Sequence, residues 1–345
     1  MDAVETAGIQ WQEAVEAASG FRGPAGWREL RSVVVAGMGG SAIAGDLAAS
    51  YLRHRWPVRV QVVRDYRLPA WADRQTLLVA SSYSGGTEET LALWEEGSRR
   101  GMPRAVITTG GRLGAEAGTA GVPVLGLPGG LQPRAALPSS LVTLLTLLAW
   151  VGPDGPRSPG GEQTQEEIRA AGELLRTLSE RWGRKVPTAR NPAKEMALWF
   201  DRRLPVIYGP ADPLAPVVRR WRGQLSENGK RLAWGNVLPE MNHNEIVGWE
   251  AQEDLYAQMR VLFLEDEEQA PSVSRRMEIT RALVERSGAP VRSVRGIGEG
   301  MLARMVSLTA MADHVSVYLA CGWGIDPTPV EKIDYLKSKL SEDLS

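Results

Sequence analysis

Val79-Ala80-Ser81-Ser82-Tyr83-Ser84-Gly85-Gly86-Thr87-Glu88-Glu89-Thr90 reads as the end of a strand, a loop and the start of a helix. The apolar run from Thr76 to Ala80 predicts a buried strand. Three hydroxyls (Ser82, Ser84, Thr87) then surround two glycines, and Leu91 and Leu93-Trp94 begin the apolar side of a helix. A helix N-terminus presents free N–H groups and the positive end of its dipole, so this order of residues builds an anion site. Glycine lets the backbone come close to a ligand. No Walker lysine follows, which removes the nucleotide P-loop reading. The plainer alternative is a turn with Thr87 or Ser84 as an ordinary N-cap.

Upstream, residues 3–18 predict a leading helix with Trp11 and Val15 on its packed side, broken by Pro24 and Gly26. Val33 to Ala36 is a β-branched strand that runs into Gly37-Met38-Gly39-Gly40-Ser41-Ala42, a second glycine-rich turn opening a helix. Further strands are expected at 58–63, 105–108 and 122–125, with an apolar helix from Leu137 to Val151. Strands alternating with helices predict a parallel sheet covered on both faces, with ligands beyond the carboxyl ends of the strands. Both glycine-rich turns fall there. Gly37, Gly39 and Ala42, with Asp65 near the end of the second strand, also satisfy a dinucleotide fingerprint. The hydroxyl at Ser41 and the second anion loop at 82–87 favour a phosphosugar instead.

Residues 152–161 are rich in Gly and Pro and predict a linker between a first domain, 1–151, and a second, 162–345. The second domain reads as another α/β unit. Helices are expected at 163–182, from 214, at 274–287, through Met305–Tyr318 and at 333–340; strands are expected at 204–208, 259–264 and 290–294. The chain has 345 residues, 43% of them hydrophobic, enough for two full cores. A net charge of −1 gives no basic field for nucleic acid or anionic lipid. No segment suits a membrane span, the acidic start lacks a secretory pattern, and the single Cys321 excludes an internal disulfide. A cytoplasmic enzyme or binding protein is expected.

Outside the loops, polar chemistry gathers at three places. Pro239-Glu240-Met241-Asn242-His243-Asn244-Glu245 sets an imidazole among asparagines and glutamates, a setting for a histidine working near neutrality or a polar surface turn. It has too few ligands for a metal, and no metal is expected. His54, beside Arg53 and Arg55, reads as a solvated surface residue, and His314 as structural. Ser226-Glu227-Asn228-Gly229-Lys230 ends an apolar-faced helix, where the dipole disfavours a carboxylate, so Glu227 reads as a general base or equally as a surface Glu. Gln132-Pro133-Arg134 places an arginine before the closing helix of the first unit, able to stabilise an oxyanion or to cap the loop. Only six of the 40 basic residues are lysines, and three of those, Lys332, Lys337 and Lys339, lie in the last fourteen residues.

Taken together, Gly37–Asp46, Ser82–Thr90, Gln132–Arg134, Pro239–Glu245 and the C-terminal Ile333–Lys337 resemble the bifunctional phosphoglucose/phosphomannose isomerases. The resemblance implies an α/β chain of two SIS (sugar isomerase) domains, each a parallel sheet flanked by helices. It implies cofactor-free aldose–ketose isomerisation of fructose 6-phosphate through a cis-enediol. Gly40, Ser41, Ser82, Ser84 and Thr87 would hold the substrate phosphate. Glu227 would be the base that moves a proton between C1 and C2, His243 would assist ring opening, Arg134 would stabilise the enediolate, and Lys337 would be the C-terminal active-site lysine. The resemblance further implies a homodimer whose active site is shared, with His243 supplied by the partner subunit. Three positions depart from the family: Gly86 stands where an Asn is usual, Pro138 follows Ala135-Ala136-Leu137 where a small flexible residue is expected, and Val330 stands where a specificity Thr is usual, Thr328 being nearest. A SIS-type sensor that binds a phosphosugar without turning it over is the alternative.

Overall fold

The computed structural model describes residues 1–153 and 161–342. The chain opens with α1 (Asp2–Glu5) and α2 (Ala7–Ala18). The leading helix is thus divided at Thr6, whose hydroxyl donates back to the Asp2 carbonyl at 3.0 Å. Next come β1 (Ser32–Ala36), α3 (Gly39–Leu52), β2 (Arg59–Val63), β3 (Thr76–Ser81), α4 (Glu88–Arg99), β4 (Arg104–Thr108), α5 (Gly111–Thr119), β5 (Val124–Gly126) and α6 (Leu137–Leu148). After α7 (Gly161–Arg181) and α8 (Pro192–Phe200), the second unit is built from β6 (Leu204–Pro210), α9 (Ala215–Glu227), β7 (Trp234–Leu238), α10 (Glu253–Tyr256), β8 (Met259–Glu265), α11 (Pro271–Arg286) and β9 (Val291–Arg295). It closes with α12 (Met301–Gly322) and α13 (Glu331–Glu342). Most of the expected linker lies at 154–160, outside the described residues.

All strand pairs are parallel. The first sheet has the order β2-β1-β3-β4-β5 and the second β7-β6-β8-β9. Both orders reverse beside the first strand of the unit, the switch point where α/β sheets take ligands. The central strands β1 and β3 are buried almost throughout, as their continuous apolar runs require. Strand β7 lay outside the sequence expectation. Its Trp234-Gly235-Asn236-Val237-Leu238 carries Gly and Asn, both depleted in strands, and it forms an edge of the second sheet.

One continuous apolar core joins the two sheets through α2, α6, α7 and α12. Every residue of α6 is buried, and each fully buried leucine in it contributes about 2 kcal/mol from area burial. Polar anchors tie the halves at fixed points. Trp11 Nε1 donates to the Ile168 carbonyl at 2.7 Å and Ser50 Oγ to Pro213 at 2.8 Å, while within the second half Trp221 Nε1 of α9 donates to Leu308 of α12 at 3.0 Å. Helix α9 thereby lies along the first sheet's α3 and delivers its C-terminal end to the first sheet's carboxyl edge.

Candidate active site

Two helix N-termini, α3 after β1 and α4 after β3, flank the switch point of the first sheet. Neither is capped by a side chain. Thr87 occupies the N-cap position of α4, yet its hydroxyl turns away to Ser82 Oγ at 2.8 Å. That leaves the first N–H groups of α4 free of a capping side chain, contrary to the ordinary-cap reading. Ser41 and Ser82 are buried at the two helix starts, whereas Ser84 is exposed at the loop tip. The loop holds its shape because Gly85 lies at φ +67°, packed so tightly on the Gly110 carbonyl that a Cβ has no room. Gly40 is constrained in the same way, since a Cβ there would stand 2.6 Å from the Pro133 carbonyl oxygen. Through Gly40 the start of α3 seats directly on the backbone that carries Arg134.

Tyr83 adds a second link between these loops. Its hydroxyl donates to the Pro128 carbonyl and accepts from Leu131 N, both at 2.9 Å, fixing the segment before Arg134 to the anion loop. Arg134 sits on a short 3-10 turn, Pro133–Ala136, and is only 5% exposed. Its Nε donates to Asn228 Oδ1 at 2.6 Å, and Nη2 donates to the carbonyls of Pro327 and Thr328, both at 2.8 Å. Nη1 makes a long bond to Gln132 (3.4 Å) and lies 3.9 Å from Glu227 Oε2. Burial lowers the Arg134 pKa, with Glu227 opposing that shift, but a guanidinium keeps its charge throughout the range of enzyme chemistry. A 270 Å³ cavity opens beside it, lined among others by Gln132, Arg134, Asn228 and Thr328.

Glu227 is the last residue of α9, with about a third of its side chain exposed. The next residue, Asn228, links Arg134 to Ser316 of α12, donating to Ser316 Oγ at 3.1 Å. Deeper in, Arg220 donates to the Arg134 carbonyl at 2.7 Å and pairs with Asp313 at 2.8 Å, where burial pushes the Asp313 carboxyl up against the pull of Arg220. Tyr83, Asn228 and the 327–328 carbonyls were not among the expected site residues. An Asn before Gly at a helix end reads as turn chemistry, and carbonyls carry no sequence signal.

Two expected residues, His243 and Lys337, stand apart. Helix α9 crosses from β6 to its parallel neighbour β7, so Glu227 lies at the amino end of β7 while His243 follows its carboxyl end. The two are separated by at least a strand's length, roughly 15 Å. His243 is exposed and has no partner among the described residues, although its segment is fixed. Glu245 accepts from Tyr208 (2.5 Å), Trp234 (2.9 Å) and Asn236 (2.6 Å), and Asn242 donates to Thr280 at 2.8 Å. Lys337 projects from α13, whose Ile333, Tyr335, Leu336 and Leu340 are all exposed. His54 is not merely solvated, since its Nε2 meets Asp212 Oδ2 at 2.7 Å across the two units. His314 is fully buried, as expected of a structural residue.

A pair of parallel sheets of this order, with an anion-receptive switch point on one, is the SIS class of α/β proteins. A family model described as the bacterial phospho-glucose isomerase C-terminal SIS domain matches residues 189–340. The bifunctional phosphoglucose/phosphomannose isomerase of Caldicellulosiruptor bescii is 41% identical over 314 residues, 91% of this chain and 91% of that protein. The enzyme of the same name from Aquifex aeolicus is 35% identical over 340 residues, 96% of this chain and 99% of that protein. In fold, the C-terminal domain of glucosamine-fructose-6-phosphate aminotransferase from Francisella tularensis superposes with a TM-score of 0.73 at 13% identity, covering 95% of this chain and 97% of that one. The chain belongs to the bifunctional phosphoglucose/phosphomannose isomerase family.

Proposed function

We propose that this protein interconverts glucose 6-phosphate and mannose 6-phosphate with fructose 6-phosphate, using no cofactor. The phosphate rests on the uncapped starts of α3 and α4, held by Gly40 N–H and the hydroxyls of Ser41, Ser82, Ser84 and Thr87. The open-chain sugar reaches from there toward Arg134 and Glu227. The Glu227 carboxylate takes the proton from C2 of the aldose and the electrons move to the C1 oxygen to give the cis-enediolate; the hydroxyl proton on O2 then passes to O1, and as the same carboxyl returns its proton to C1 the C2 carbonyl of the ketose forms. Arg134 Nη1, its least committed nitrogen, stabilises the developing negative charge. The observation that carries the reading is the 3.9 Å approach of Arg134 Nη1 to Glu227 Oε2 beside two uncapped helix ends.

Incubation with fructose 6-phosphate in heavy water, followed by proton NMR, tests it. Glucose 6-phosphate deuterated at C2 is expected, with mannose 6-phosphate alongside; binding without conversion would replace this reading with that of a sensor.

The active unit in this proposal is a homodimer, with His243 of one subunit completing the site of the other. Its support is the position of His243 beyond the carboxyl end of β7, exposed on the second sheet's edge. Lys337 on the exposed α13 would act as the C-terminal lysine of such a composite site. Mixing inactive Glu227→Gln and His243→Ala proteins should restore about a quarter of wild-type activity, because half the dimers then carry one intact site. No recovery on subunit exchange would place both residues in a site built by one chain and overturn the shared site. We read the chain as two SIS domains, 1–151 and 162–345, supported by the repeated strand order, and its setting as cytoplasmic glycolysis and gluconeogenesis, supported by a single unpaired cysteine.

A further inference from the structure

Lys230, three residues after Glu227, is unassigned by the site as described. It sits at φ +53°, in the left-handed region where glycine or asparagine is favoured, so its side chain is retained against backbone preference. Its ammonium reaches three main-chain oxygens: the Glu227 carbonyl at 2.6 Å, the Pro327 carbonyl at 3.3 Å and the Pro329 carbonyl. Pro327 O is shared, because it also accepts from Arg134 Nη2. The 327–329 strap is therefore gripped by Lys230 on one side and Arg134 on the other, and it leads into α13 and Lys337.

We propose that Lys230 is a positioning residue for the isomerisation, a three-pronged clamp that ties the strap to the helix end bearing Glu227 and thereby holds Arg134 in register with the base. The inference rests on the isomerase reading of Arg134 and Glu227. A tetrahedral ammonium with three donors fits three convergent carbonyls, whereas a planar guanidinium does not. In a chain that favours arginine, Lys194 is used the same way, donating to the carbonyls of Arg184 (2.8 Å) and Val186 (2.7 Å). Burial and the nearby Arg134 lower the Lys230 pKa, the direction expected of an ammonium drawn close to a second cation. Without Lys230 the strap loses its anchor, and the Pro327 and Thr328 carbonyls no longer fix Arg134.

The test compares Lys230→Met, Lys230→Arg and Lys230→Cys, the last in a Cys321→Ser background and then alkylated with 2-bromoethylamine to regenerate an ammonium. Both Met and Arg variants should lose about 10- to 100-fold in kcat with KM for fructose 6-phosphate within about threefold, since the phosphate loops are untouched. Alkylation of the Cys variant should recover most of the loss. Amide hydrogen exchange at Thr328 and Val330 should accelerate in Lys230→Met, a readout that needs no substrate. Wild-type kcat in Lys230→Arg would overturn the clamp, as would a Met variant that loses thermal stability while its kcat is unchanged. A wild-type protein that fails to convert fructose 6-phosphate would sink the isomerase reading, and the exchange measurement would still decide whether the strap is clamped.

Discussion

At the switch point of the first sheet, between β1 and β3, stand Gly40, Ser41, Ser82 and Thr87; at the equivalent point of the second, between β6 and β8, stand Asp212, Asp266, Glu267 and Glu268. The strand order is the same and the chemistry is opposite. The first edge offers free N–H groups and hydroxyls. On the second, Asp266 is consumed by a buried pair with Arg304 at 2.8 Å, and Glu245 fills the space above β6 and β7 with its bonds to Tyr208, Trp234 and Asn236. Burial and the Glu245 carboxylate push the Tyr208 phenol up, which keeps it a donor to that carboxylate. One edge presents hydrogen-bond donors to an anion, and the other presents carboxylates. Repeating a fold does not repeat its site; the second sheet supplies Glu227 from the opposite end, through α9.

The largest effect that sharpens this contrast is expected at Glu227. Glu227→Gln keeps the shape but removes the carboxylate proposed as the base, and kcat should fall by about 10³-fold or more while KM stays near wild type. Glu265→Gln, on the second sheet's edge, should leave both parameters unchanged. Steady-state kinetics on the two variants decides whether the carboxylates of the two regions differ in role as they differ in place.

Stability should divide the regions in the reverse sense. Arg304→Met strands Asp266, whose side chain is 1% exposed, and should cost about 3–5 kcal/mol in urea unfolding. The residual enzyme, measured at low temperature, should retain its kcat. An equal loss of kcat would show that the second edge reaches the chemistry after all.

The core shared by both sheets has its own weak point at His314. Its Nδ1 bonds the Ala310 carbonyl at 2.8 Å, and Nε2 is buried with no partner among the described residues. Burial lowers its pKa from 6.5 to about 4. The unfolded chain binds a proton below pH 6.5 and the folded chain only near pH 4, so the stability from a neutral His314 is complete above 6.5 and drains away down to about 4. The loss is on the order of 3 kcal/mol. His314→Phe, which keeps an aromatic ring against Trp182, should flatten unfolding free energy between pH 7.5 and 5.

What the sequence makes legible follows from the range of each interaction. The strands at 33–36, 76–80 and 204–208 are continuous apolar runs, and their period and composition identify them locally. Strand β7 escapes because Gly235 and Asn236 interrupt the pattern on a half-exposed edge. The anion loops are legible because strand, hydroxyls, glycines and helix start are consecutive. The meeting of Arg134 with Asn228 is not, since 94 residues separate them and neither carries a local signal of the other. Family resemblance names Arg134 and Glu227, while the geometry adds Tyr83, Asn228, Lys230 and the 327–329 strap. His243 marks the limit, because within this chain it lies a strand's length from Glu227.

The smallest effect is expected at the anion loop itself, where several weak donors share one ligand. Ser82→Ala removes one hydroxyl and should raise KM for fructose 6-phosphate by about three- to tenfold, with kcat within twofold, the worth of one hydrogen bond to a charged group. Thr87→Val should do the same. Because Ser82 Oγ and Thr87 Oγ1 bond each other at 2.8 Å, the double variant should lose less than the product of the two single losses. Ser274→Ala, at a hydroxyl bonded to Gln269 beside the second sheet's edge, should leave KM unmoved. Multiplicative losses at Ser82 and Thr87 would mean that the two hydroxyls act on the phosphate independently, and an unmoved KM in all three variants would leave the first edge holding its anion through backbone N–H groups alone.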